Sequence, residues 1–172
     1  MNQTLDDFIL TLGSIYNNIR TIFLKKLERG DCLALADVLN RKLKELSAYR
    51  TQVEEFKNLS QKEYRESWKI QRVVDRTLQL CIECCLDMAN HIISEKAFRE
   101  PNSNADIFSI LEENQYYNSD LSRRLQQMAQ FQNILIHEYA TVNPDNVIHI
   151  LRENLPDFDL FAQSIIKKIE VY

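Results

Sequence analysis

The sequence has very little turn material: 2 glycines and 3 prolines in 172 residues. That is too few to punctuate a many-stranded β fold, and 45% hydrophobic with 27% charged residues favours long amphipathic helices instead. Excess positive charge is also missing. The formal net charge is −4 and the pI near 5.4, which excludes the global cationic field of sequence-independent nucleic-acid binders, so any RNA or DNA contact must be local or arise by assembly. No run approaches the ~18 apolar residues of a membrane span, and MNQTLDDF lacks the basic start and apolar core of a signal peptide. These absences predict one cytoplasmic domain with no membrane partner. Without a Gly-rich phosphate loop, no nucleotide cofactor is expected.

Metal-ligand spacing is absent as well. The four cysteines are Cys32, Cys81, Cys84 and Cys85, the last three within CIECC. A zinc site would want a second spaced pair or clustered histidines, whereas i, i+3 and i+4 cysteines share one helix face and pack as small hydrophobes. Core packing and no metal are the expectation.

What is present is helical periodicity. Leu5 to Leu27 recur at helical spacing until Gly30. Asp31 can cap a second helix with the stripe Leu35, Leu39, Leu43, Leu46, Tyr49, Val53 and Phe56. Ser60 with Glu63 is a capping-box pattern, and from there one long central helix is expected to about Phe98. Its apolar side runs Ile70, Val74, Leu78, Cys81, Cys85, Met88 and Ile92. The opposite row includes Arg72, Arg76, Glu83 and Asp87, which reads either as a solvated face or as one wall of a groove, with Glu83 and Asp87 a turn apart. ADIFSILEEN predicts a short helix, Asp120 to about Tyr139 a longer one, and Asn143-Pro144 starts another to about Asn154. Pro156 repeats the start signal before DLFAQSIIKKI. The sum is an all-α bundle of six or seven helices.

One stretch carries chemistry. In AQFQNILIHEYA, the helix stripe is Leu121, Leu125, Met128, Phe131 and Leu135, and His137 is not on it. At ~100° per residue His137 falls with Arg123, Gln126, Gln130 and Asn133. That leaves an exposed or groove-lining imidazole, suited to proton transfer near neutrality. Tyr139, just before the ATVNP turn, reads by itself as an amphipathic residue with a wet tip. His91 and His149 read as structural.

FQNILIHEY, followed by NPDNVIHILRENLPDFDLFAQSI, closely resembles the C-terminal half of HepT-type toxins of the HEPN superfamily, all-helical ribonucleases. QRVVDRTLQLCIECCLDMANHIISE looks like the long central helix of that family. The resemblance spans roughly Val38 to Tyr172, with Met1 to about Asp37 as an added N-terminal helix. It implies a HEPN-type helical bundle, a homodimer whose site assembles between subunits, and metal-independent cleavage of an RNA substrate, transfer or messenger. It also implies an MntA-like nucleotidyltransferase antitoxin that transfers AMP to the motif tyrosine. Carried onto the motif Arg-x4-His-x-Tyr, His137 handles protons, Asn133 is an orienting neighbour and Tyr139 is the AMP acceptor.

Gln132 stands where the motif has Arg. A guanidinium offers fixed charge and a bidentate fork, Gln132 only a neutral amide. Losing one such contact costs ~3 to 4 kcal/mol, or ~10²- to 10³-fold in rate. Position 132 also falls within the apolar stripe, away from His137. Arg123 shares the His137 side but lies ~21 Å away along the helix, so Arg123, Arg124 or Arg72 could assist only from a partner helix. The two readings left open are an active ribonuclease toxin and an inactive HEPN binding module that serves the nucleotidyltransferase.

Overall fold

The computed structural model describes residues 33–137 and 142–170. The expected first helix, Cys32 and Tyr139 lie outside the described residues, as does the side chain of His137. Among the described residues every regular element is helical: α1 (Leu33–Glu54), α2 (Gln61–Glu66), α3 (Trp68–Glu95), α4 (Asn104–Glu113), α5 (Ser119–His137), α6 (Pro144–His149) and α7 (Leu155–Glu170). Within that range, no helix is long and apolar enough to cross a membrane.

The centre of the bundle is α3, against which α1, α4, α5 and α7 all pack. Its expected stripe is buried from Val74 to Ile92, with Ile70 partly buried at the N-terminal end. Leu39, Leu46 and Val53 of α1 close one side, while Phe108 of α4 meets Phe161 of α7 edge-to-face at 6.0 Å. Cys81, Cys84 and Cys85 are reduced and buried within this core. Burial pushes the Cys81 and Cys84 thiols up to about 12, so they pack as hydrophobes and are inert as nucleophiles.

Two expected boundaries differ. The central helix does not run unbroken from Ser60. Ser67 adopts an extended conformation (φ −121°, ψ 100°), and its hydroxyl accepts from the Ile70 amide at 3.4 Å. A serine that caps competes with continued helix, and the side-chain amide of Gln71 satisfies the carbonyls left at the end of α2 by donating to Tyr64 and Arg65. At the other end of the chain, Asn154 and Pro156 do not separate two helices. A π-helical turn, Ile150–Asn154, joins α6 to α7 with helical backbone throughout. Proline has no N–H to donate and its ring crowds the carbonyl four residues back, here Arg152, so a widened turn absorbs it.

The glycine shortage shows in the helix ends. Both glycines precede the described region, and α3 and α4 end instead on Ala97 (φ 51°) and Gln115 (φ 61°). The amides of Phe98 and Tyr116 then bond back to the carbonyls of Ile93 and Leu111 at 3.0 Å, the closing pattern of a left-handed cap. Each non-glycine residue held there costs roughly 1 to 2 kcal/mol.

Candidate functional site

The candidate site is organised by α5. Asn118 accepts from the Leu121 amide at 3.0 Å, and Asp120 sits in the first turn, where a carboxylate favours the helix dipole. Leu121, Leu125, Met128, Phe131 and Leu135 are all buried, as their spacing requires. Arg123, Gln130 and Asn133 are exposed on the other side. The backbone of His137 is the last of α5 that the structure describes.

Gln132 belongs to the buried side. It is 3% exposed, and its Oε1 finds no hydrogen-bond partner among the described residues. The residue in the motif's arginine position therefore faces the bundle interior, while Asn133 beside it faces outward. An arginine there would have to leave the packing face to reach a phosphate.

Alongside α5 runs a groove of about 600 Å³. Gln127, Gln130 and Ile134 line it from α5, and Asn146 and His149 from α6. His149 was expected to be structural. It is instead exposed in this groove, because α6 buries Val147 and Ile148, the π turn buries Leu151, and position 149 is turned outward. The signal was available in the sequence: at ~100° per residue, position 149 lies ~160° from both 147 and 151.

Two arginines form the far end of the groove. Arg124 is fixed, donating to Asp157 at 2.8 Å and pairing with Asp120; Asp157 is itself buried and held by Asn154 at 3.1 Å. Arg123 pairs only locally, with Asp120 at 2.8 Å, and its side chain is 71% exposed. Such surface pairs hold by ~0 to 1 kcal/mol, so Arg123 can reorient toward an anion at little cost.

Glu83 and Asp87 do not line this groove. Asp87 pairs with Lys42 of α1 at 2.8 Å, and that hydrogen bond holds the Lys42 ammonium above its usual range. Glu83 accepts from Gln79 at 2.8 Å and lies 3.8 Å from Arg76. Asp87 thus ties α1 to α3, while Glu83 is held by its own helix. Arg72 lies further toward the N-terminus of α3, exposed. Among the described residues no cluster of His, Cys, Asp and Glu could hold a metal ion.

Comparisons place this geometry among known proteins. The family described as Ribonuclease HepT-like matches residues 40–165. The chain is 34% identical over 103 residues, 60% of its length and 77% of the relative's, to an mRNA nuclease HepT of Shewanella oneidensis. It is 24% identical over 128 residues, 74% of this chain and 87% of the other, to a tRNA nuclease HepT of Aphanizomenon flos-aquae. Among solved structures it is similar to the tri-AMPylated HEPN toxin of Shewanella oneidensis in complex with an MNT antitoxin, with a TM-score of 0.69 and 29% identity over 75% of this chain and 96% of that one. YutE of Bacillus subtilis shares the fold, with a TM-score of 0.63 at 20% identity over 76% of this chain and 90% of that one. An all-helical bundle centred on one long helix, the FQNILIHEY sequence and a family match over most of the chain agree: the chain belongs to the HepT-like family of HEPN proteins.

Proposed function

We propose that this protein is the toxin of a toxin-antitoxin pair, a metal-independent endoribonuclease acting as a homodimer and silenced by AMP transfer to Tyr139 from an MntA-like nucleotidyltransferase. The chain would be a single domain, with residues 38–172 as the HEPN core and residues 1–37 as an added N-terminal helix. The observation that carries the reading is the register of α5. The motif is in frame through Asn133, His137 and Tyr139 in the sequence, and α5, which carries Asn133, walls a groove with amides, a histidine and two arginines along its sides. In this reading the ribose 2′-hydroxyl attacks the adjacent phosphate, forming the new P–O bond as the 5′-oxygen leaves. His137 moves the proton, Asn133 orients it, and Gln132 occupies the place of the charge-stabilising arginine. The relatives' names as mRNA and tRNA nucleases, and the AMPylated state of the Shewanella toxin, support the substrate class and the mode of silencing.

Gln132 favours a second reading. A neutral side chain buried on the packing face gives no positive charge to a phosphorane, which fits an inactive HEPN module kept as partner and substrate of the nucleotidyltransferase. Incubating the protein and its Gln132→Arg variant with total RNA, without divalent metal, separates the two. Cleavage by both marks an active toxin, and a gain of ~10²- to 10³-fold in the variant marks a weakened one. Cleavage by the variant alone selects the inactive module, and cleavage by neither ends the ribonuclease reading. For Tyr139, mass spectrometry after exposure to the cognate nucleotidyltransferase and ATP should find one or more AMP groups on that residue; an adduct elsewhere with Tyr139 unmodified refutes the assignment.

A further inference from the structure

The polar face of α3 divides in two. Its C-terminal half, Glu83 and Asp87, is acidic and engaged with Gln79, Arg76 and Lys42. Its N-terminal end carries Lys69, Arg72 and Arg76 against one carboxylate, Asp75, which accepts from the Tyr64 hydroxyl, and it holds the chain's one tryptophan. Trp68, Lys69, Arg72 and Arg76 fall within ~100° of one another on the helical wheel. All four are exposed, and Arg65 is exposed in the last turn of α2. Trp68 is 68% exposed, with the Lys69 ammonium 5.8 Å from its ring centroid. The Ser67 break creates this arrangement: it makes Trp68 the first residue of a new helix, off the packing stripe that begins at Ile70 and Val74.

We propose that the α2–α3 junction is a binding strip for single-stranded RNA, with Trp68 as a stacking platform for a base and Lys69, Arg72 and Arg65 as phosphate contacts. The inference rests on the ribonuclease reading for its substrate, and it adds a contact region outside the motif helix. An aromatic face among cations is the chemistry that holds single strands without reading sequence. The protein's overall charge of −4 requires such a contact to be local. A protein interface fits less well, because interface centres are depleted in charge, and here Trp68 and Val73 are the large exposed apolar side chains amid exposed Arg and Lys. The start of α2, one turn before Arg65, touches α6: Gln61 bonds to Asp145, and Arg152 donates to the Leu59 carbonyl at 3.3 Å.

The single tryptophan makes the test direct. The unmodified full chain is titrated with an oligouridylate of about twelve nucleotides, without divalent metal, following Trp68 fluorescence and the anisotropy of a labelled oligonucleotide. Quenching of Trp68 on binding is expected, with Trp68→Ala binding ~5- to 100-fold more weakly. Lys69→Gln and Arg72→Gln should each lower the slope of log K against log salt by ~0.7. Thermal melts confirm that these surface variants fold. Unchanged affinity and salt slope in all three variants would overturn the strip, even if RNA is cleaved. Loss of self-association or antitoxin binding in Trp68→Ala, with RNA affinity intact, would overturn it in favour of a protein contact. Trp68-dependent binding with no cleavage by the parent or by Gln132→Arg would keep the strip and end the ribonuclease reading.

Discussion

Arg50 on α1 and Gln132 on α5 are both buried polar side chains, 8% and 3% exposed, and they are treated in opposite ways. Arg50 is fully engaged: its Nε donates to the Leu155 carbonyl at 3.1 Å, one terminal nitrogen pairs with Glu54, and the other lies 3.5 Å from Asp159. It locks α1 to the start of α7. Gln132 has an acceptor oxygen with nothing to accept from among the described residues. Burying an unpaired polar atom costs ~1 to 3 kcal/mol, and an apolar residue of similar size would avoid that cost. Packing explains Arg50. It does not explain Gln132, whose buried acceptor oxygen is unpaired among the described residues.

The largest effect should come from breaking the satisfied member. Arg50→Met leaves the half-buried Asp159 carboxylate without its cation and Glu54 with Lys57 alone, at 3.3 Å, and should cost ~3 to 5 kcal/mol in denaturant unfolding. A loss below ~1 kcal/mol would show that the two carboxylates find other partners or simply protonate. The unsatisfied member should respond in the other direction. Gln132→Leu is expected to raise stability by ~1 kcal/mol, and a clear loss on chemical denaturation would mean that the amide is paired after all.

A pH dependence belongs to the same lock. Burial pushes the Asp159 carboxyl up to about 6, with Arg50 opposing and Glu54 adding to the rise. The folded protein then binds a proton that the unfolded chain, with its ordinary carboxyl near 3.8, does not hold between those values. This contribution to stability therefore falls as pH rises from about 4 to about 6 and stays lost above that. Melting temperatures across the window should follow that direction, and Asp159→Asn should flatten it. A profile identical in the variant would assign the dependence to another group. The smallest effect concerns the helix ends: Gln115→Gly relieves a left-handed residue at φ 61° and should add ~0.5 to 1 kcal/mol, offset in part by the greater freedom of glycine when unfolded. No gain in melting temperature would show that the cap is unstrained.

Much of the architecture was legible because it depends on period. The buried stripes of α1, α3 and α5, the cysteine face and the outward turn of Asn133 all follow from counting along a helix. What escaped were choices between near-equal local alternatives. Ser67 could continue a helix or cap a new one, and the cap wins with help from Gln71. Pro156 could end a helix or widen it, and continuous burial of Leu151, Leu155 and Phe158 favours widening. His149 escaped because a histidine amid isoleucines was read by its neighbours rather than by its angle.

The sequence by itself determined an all-helical chain, an inert cysteine cluster and a motif with a glutamine where an arginine is expected, because each is a matter of residue type and spacing. Only the tertiary structure decided that α6 meets α5 across a groove with His149 on its wall, that Asp87 and Glu83 are held in ion pairs and hydrogen bonds, and that Arg50 is engaged on three sides while the Gln132 oxygen finds no partner among the described residues. The reason is reach. Spacing fixes which face a side chain occupies, whereas hydrogen bonds and ion pairs act over a few ångströms between residues as far apart in the chain as Arg50 and Leu155.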